Sequence, residues 1–136
     1  MNLIDVYTVS NAVRLLYELL SEREPGQSIS HKRMPTMAEH LSFVMSKPYR
    51  EWFLIEVDGA YVGAVYLSKQ NEVGIGIFRK HRGNGYGKQA VAMLMDRHKG
   101  ERLIANINPT NIPSLNLFKS LGFRGPIQVS LEYAST

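Results

Sequence analysis

The spacing of apolar residues changes period several times along the chain, and each change marks an element. Residues 3–9 alternate weakly, as a strand does. Ser10-Asn11 can then cap a helix whose apolar positions are Val13, Leu16, Leu19 and Leu20. Glu24-Pro25-Gly26 stops that helix, and a polar stretch runs to Pro35. A second helix follows, with apolar positions at Met37, Leu41, Phe43, Val44 and Met45, and Thr36 and Glu39 have capping-box spacing at its start.

Residues 52–57 are a β-rich run, Asp58-Gly59 is a strong hairpin signal, and residues 61–67 return as the partner strand. A third strand spans 72–78, where Gly74 and Gly76 leave the backbone open. Residues 86–99 read as a helix with a stripe of Ala90, Val91, Met93, Leu94 and His98, ended by Lys99-Gly100. Residues 102–107 form a short strand, Asn111 or Pro113 opens a last helix closed by Gly122, and 128–133 are extended. The predicted order is βααβββαβαβ, with room for one more short strand at 123–126. Such an order makes an α/β fold in which a mixed, mostly antiparallel sheet carries helices on both faces and splits where a ligand enters.

Composition narrows this picture. At 136 residues, 44% apolar and 10% aromatic, residues 1–136 make one domain with one core and leave no room for a second. The absence of cysteine excludes disulfides and thiolate metal ligands. No basic segment precedes the first apolar residues, and Asp5 interrupts their run, so the expected location is cytoplasmic, with no membrane contact.

A net charge of +4 and a pI near 9.4 suit nucleic acid, anionic lipid or a phosphorylated small molecule. Arg79, Lys80, His81, Arg82 and Lys88 gather around one glycine-rich segment instead of spreading along a face, which favours a local phosphate site over nucleic acid. None of His31, His40, His81 and His98 has a partner at metal-ligand spacing, so no metal is expected, and His98 reads as a packing residue.

The chemistry concentrates in Arg82-Gly83-Asn84-Gly85-Tyr86-Gly87-Lys88, between a strand and a helix. Glycines let successive backbone N–H groups converge on one anion, and the helix N-terminus adds unpaired donors and the positive end of its dipole. A mere tight turn is the plainer explanation of an isolated Gly-x-Gly. Three alternate glycines flanked by Arg82 and Lys88 point to a diphosphate. A Walker loop fails at both ends, at Arg82 and Gln89. The dinucleotide fingerprint fails because six residues follow Phe78 before Gly85 and residues 103–108 hold no acid.

The segment Arg82-x-x-Gly85-x-Gly87 is similar to the Q/R-x-x-G-x-G/A signature of the GCN5-related N-acetyltransferases. Asn111-x-x-Ser114-x-x-x-Phe118-x-x-x-Gly122-Phe123 resembles that family's C-terminal motif, and the two together cover residues 51–124. Residues 28–67, with His40-Leu41-Ser42-Phe43 before Trp52 and Gly63, look loosely like its amino-sugar and ribosomal-protein branches. The resemblance implies acetyl-CoA as co-substrate, with its pyrophosphate on the 82–88 loop and its pantetheine arm along the backbone of Ile75 and Ile77. It also implies cofactor contacts at Asn111, Ser114 and Phe118. Asn111 serves equally as a helix N-cap, and Ser114 carries the same ambiguity.

The family often has Tyr at the position of Phe118, as the acid that protonates the CoA thiolate. Phe has no proton to give, which leaves water, Tyr86 or Tyr133, or unassisted departure of a thiol with pKa about 8.5. Glu72 is the candidate base, with an exposed turn carboxylate as its plainer reading, and Asn106 is placed to orient amine or water. The implied reaction is direct transfer of acetyl to a primary amine of a small molecule, an amino sugar or a protein N-terminus. Residues 20–37 are expected to wall the acceptor site, where His31, Lys32 and Arg33 suggest an anionic acceptor such as a nucleotide-linked amino sugar. Two other functions compete, a basic phosphate- or nucleic-acid-binding module and a CoA-binding domain without catalysis. Homodimer formation is left open.

Overall fold

The structure, a computed structural model, describes residues 1–23 and 33–134. Four strands, β1 (Asn2–Asp5), β2 (Tyr49–Val57), β3 (Ala60–Ser68) and β4 (Val73–Ile77), form one antiparallel sheet in sequence order. Helices α1 (Ala12–Ser21) and α2 (Met37–Met45) cover one face, and α3 (Tyr86–Arg97) and α4 (Ile112–Ser120) cover the other.

Local chemistry accounts for the element ends. Thr36 and Glu39 close a reciprocal capping box at α2, and Asn111 accepts a hydrogen bond from Ser114 N–H to cap α4. Asp58 (φ 49°) and Gly59 (φ 79°) are both left-handed, as a two-residue primed turn requires. Two residues past that turn the register slips. Glu56 pairs with Tyr61, but Ile55 pairs with Gly63, so Val62 is extra and Trp52 comes to lie opposite Tyr66.

Two apolar layers result. Phe53, Ile55, Val65, Leu67 and Val73 pack on Ala90, Val91 and Leu94 of α3 and on Phe118 of α4. Leu54 and Ala64 pack against Ala12, Leu16 and Val44, with Val6 between. The α3 layer ends in polar contacts. His98 is buried, its Nδ1 2.7 Å from Glu101 and its Nε2 hydrogen-bonded to Glu51, while Arg97 and Arg50 pair with the same two carboxylates. His98 is therefore buried, as its stripe position suggested, and also tied by hydrogen bonds, because both ring nitrogens face carboxylate oxygens.

Two of the predicted strands do not form among the described residues. Residues 102–107 contribute a single parallel bridge, Glu72 to Ile104, with Val73 N–H donating to Ile104 C=O at 2.7 Å and Ile104 N–H to Asn71 C=O at 2.9 Å. Residues 128–133 form no strand, nor do 123–126, and Val129, Leu131 and Tyr133 are 74%, 93% and 91% exposed. Alternation specifies which face a strand would show and not which neighbour it would join. With one bridge beyond β4 there is no ladder for the tail to lengthen. The predicted helix 86–99 also ends earlier, at Arg97.

Candidate functional site

Backbone direction along β4 sets the site. Phe78 N–H donates to Val62 C=O and Ser68 N–H to Glu72 C=O, so the even-numbered residues of this stretch turn their backbone groups towards β3. By the two-residue repeat, Val73, Ile75 and Ile77 turn theirs the other way. Val73 meets Ile104. Beyond that bridge the two segments share no further pairing among the described residues, leaving the N–H and C=O of Ile75 and the N–H of Ile77 on an open edge, while the Ile77 C=O accepts from the Arg82 side chain.

The edge runs into the glycine loop. Gly83 (φ 84°) and Gly85 (φ 76°) are left-handed, and a Cβ built on either would meet nothing within 4 Å, so the space before them is clear. Gly85 is the N-cap of α3 without a side-chain cap, which leaves the first-turn N–H groups with no intrahelical acceptor. Gly87 differs: it is buried, and a Cβ there would lie 3.2 Å from Leu117 and close to Ile75 and Ile77, so it seats α3 on the strand. Asn84 Nδ2 donates to His81 C=O at 3.0 Å, bracing the loop from outside the cleft, while Arg82 Nε donates to Ile77 C=O at 3.1 Å. Lys88 is exposed and Tyr86 half-buried, both lining the cleft.

Edge, loop and α4 bound a cleft of about 1240 Å³. Asn111, Ser114 and Phe118 line it from α4. Asn111 is committed to its cap, Ser114 N–H being the donor at 3.3 Å, and Phe118 is 4% exposed with its ring edge-on to Phe123 at 5.1 Å. Glu72 and Asn106 are brought together, Asn106 Nδ2 donating to the Glu72 carboxylate. Of the hydroxyls considered as proton donors, Tyr86 lines the cleft whereas Tyr133 stands exposed in the tail away from it.

The other half of the cleft is aromatic. Tyr49 and Tyr66 stack face to face at 3.9 Å and 6°, Trp52 meets Tyr49 edge-on at 4.7 Å, and Phe43 meets both Tyr49 and Trp52 edge-on. The Tyr66 ring lies across Gly74, whose Cβ would be 2.0 Å from it, and a Cβ on Gly76 would touch Leu19. Both glycines thus serve the α1 side of the sheet, not the open edge.

Burial pushes the Tyr49 and Tyr66 hydroxyls up from the usual phenol range, and Glu72 raises Tyr66 further while the Tyr49 hydroxyl and Arg23 pull it down. Burial also lowers His40, whose Nε2 donates to Val13 C=O at 3.0 Å and ties α2 to α1. Arg33 is held by Glu39 at 3.1 Å, while His31 and Lys32 lie outside the described residues.

The aromatic wall and Arg23 were not singled out from the sequence. Trp52, Tyr66 and Tyr49 each sit in a β-rich run that any core would explain, and only the register slip at Val62 sets Trp52 opposite Tyr66. Among the described residues no group of His, Cys, Asp or Glu is arranged to hold a metal ion, and no helix is long and apolar enough to cross a membrane.

Residues 13–123 match the acetyltransferase (GNAT) family. Among curated proteins none matches the chain in sequence. Among solved structures it is similar to a domain from Methanocaldococcus jannaschii, at 27% identity over 85% of this chain and 84% of that one, with a TM-score of 0.72. It is also similar to a GNAT superfamily phosphinothricin acetyltransferase from Sinorhizobium meliloti in complex with acetyl-CoA, at 26% identity over 90% and 74%, TM-score 0.69. A ribosomal-protein-alanine N-acetyltransferase from Brucella melitensis shares the fold at 18% identity over 91% and 85%, TM-score 0.71.

Proposed function

The chain belongs to the acetyltransferase (GNAT) family, and from that premise we propose that it moves an acetyl group from acetyl-CoA directly to a primary amine. The observation that carries the proposal is the continuity of the open β4 edge with the cleared loop at Gly83 and Gly85. One long ligand that is amide along its middle and diphosphate at its end matches both parts.

The residues present fit that ligand. Ile75 offers its edge N–H and C=O, and Ile77 its N–H, to amides in the manner of an added strand. Gly83, Gly85 and the first turn of α3 offer N–H groups to the diphosphate, with Arg82 and Lys88 adding charge. When bound, acetyl-CoA supplies a thioester whose carbonyl carbon accepts the amine.

Glu72 takes the proton from the incoming ammonium, and Asn106 holds the carboxylate in place. The neutral nitrogen then attacks the carbonyl carbon, the N–C bond forms, and the C–S bond breaks. Phe118 has no proton for the departing thiolate, and Tyr86 stands at the loop end of the cleft with the diphosphate; the amine's second proton, lost as the amide forms, passes through water to the sulfur. With no cysteine in the chain, the transfer passes through no acyl-thiol on the protein.

Titration with acetyl-CoA in a calorimeter, followed by thiol release across a panel of amines, tests the proposal. Saturable heat and amine-dependent thiol release are expected. No heat at high micromolar acetyl-CoA would overturn it, and heat without turnover on any amine would leave a CoA-binding domain that does not catalyse.

A further inference from the structure

The acceptor half of the cleft carries two opposite charges on an aromatic wall, and, resting on the acetyl transfer proposed above, we propose that the acceptor is a free amino acid. Its carboxylate sits on Arg23, its amine on Glu72, and its side chain on the wall of Trp52, Tyr49 and Tyr66.

Arg23 supplies the first half of the argument. Of the guanidiniums lining the cleft, Arg33 is bound by Glu39 and Arg82 by the Ile77 carbonyl. Arg23 is half-buried, and among the described residues its side chain makes neither an ion pair nor a hydrogen bond. A partly desolvated cation without a counter-ion is unfavourable until an anion reaches it. Its place two residues after α1 does not account for it, since its guanidinium bonds none of the carbonyls at that helix end.

Glu72 supplies the second half. Glu72, Tyr66 and Arg23 all line this cleft, and the Tyr66 hydroxyl feels both charges, Glu72 raising its pKa and Arg23 lowering it. They do not pair with each other. A cleft wall that carries a plus and a minus charge not paired with each other is complementary to a zwitterion. A polyamine would bring a second cation beside Arg23, and a neutral amino sugar would leave Arg23 unpaired. Acetylation also removes the positive charge that Glu72 attracts while keeping the carboxylate, so the product loses one of its two anchors.

The test compares matched pairs that differ only in the carboxylate: L-phenylalanine with phenethylamine, and L-tryptophan with tryptamine, each assayed for thiol release with acetyl-CoA. An Arg–carboxylate contact of ordinary strength predicts a kcat/KM roughly ten- to hundredfold higher for the amino acids. In Arg23→Gln the ratio within each pair should fall towards one, mainly through the KM of the amino acid, with Arg23→Lys retaining part of the preference. Equal rates within the pairs, or an unchanged ratio in a folded Arg23→Gln protein, would overturn the amino-acid assignment while leaving acetyl transfer standing. Failure of the wild-type protein to bind acetyl-CoA by calorimetry would instead overturn the transfer reading, and this assignment with it.

Discussion

Asn106 donates a hydrogen bond to the Glu72 carboxylate, joining the two segments beside their one bridge, where β4 and residues 104–108 part. A turn carboxylate with no task would not need a partner from the facing segment. Replacing Glu72 by Gln keeps the shape and removes the base, so kcat should drop by about 10²- to 10⁴-fold. Acetyl-CoA affinity, measured separately by calorimetry, should stay within about twofold, because the cofactor contacts proposed above lie further along β4. Unchanged kcat would assign Glu72 to the turn alone.

Gly85 offers a test of the loop. Its φ of 76° and the clear space before it suit an anion held by backbone N–H groups. Gly85→Val places a branched side chain in that space and in a conformation that L residues rarely adopt. Strain of about 1–3 kcal/mol is small beside a domain stability of roughly 5–15 kcal/mol. The variant should melt cooperatively and lose acetyl-CoA affinity. Retained affinity in the folded variant would show that the glycine only shapes a turn.

A different glycine controls the aromatic wall. Gly74→Ala puts a methyl group 2.0 Å from the Tyr66 ring, so the ring must leave its place against Tyr49. Overpacking of this kind costs about 1–3 kcal/mol. The single tryptophan of the chain, Trp52, stands 4.7 Å from Tyr49 and reports the rearrangement. A shifted fluorescence maximum and a lower Tm are expected, and identical spectra would mean that the wall does not depend on Gly74.

Acid should act through the tie at the end of α3. Hydrogen bonds from Arg50 and His98 hold the Glu101 carboxyl down at about 2, and those from Arg97 and His98 lower Glu51 despite the opposing effect of burial. A folded pKa below the unfolded one means that the stabilisation is complete above the ordinary carboxylate value of 4.5 and is lost as pH falls towards 2. Glu101→Gln should therefore melt below wild type near neutral pH, with the difference narrowing below pH 4.5 and closing only as pH falls to about 2 and under. A gap that persists unchanged in acid would remove this carboxylate from the acid response.

Much of the fold could be read along the chain because its signals are local. The capping box at Thr36 and Glu39, the Asp58-Gly59 turn and the glycine run before α3 each act within four residues of themselves. What escaped depends on pairing across distance. An uninterrupted two-residue hairpin sets Trp52 opposite Val65; the extra residue at Val62 moves it to Tyr66 and so builds the aromatic wall. His98 looked apolar by position because nothing nearby in sequence announces Glu51, 47 residues away. The tail at 127–133 alternates like a strand yet joins none, since alternation carries no information about a neighbour.

The open edge of β4 also matters when no ligand is present. An unpaired strand edge is a template for any extended chain, and proteins normally blunt such edges with charge, proline or a covering element. Here Gly74-Ile75-Gly76-Ile77 holds neither charge nor proline, and among the described residues only the Arg82 side chain reaches one of its carbonyls. The same groups that would receive a substrate thus leave this edge open to a second chain whenever the molecule that fills them is scarce.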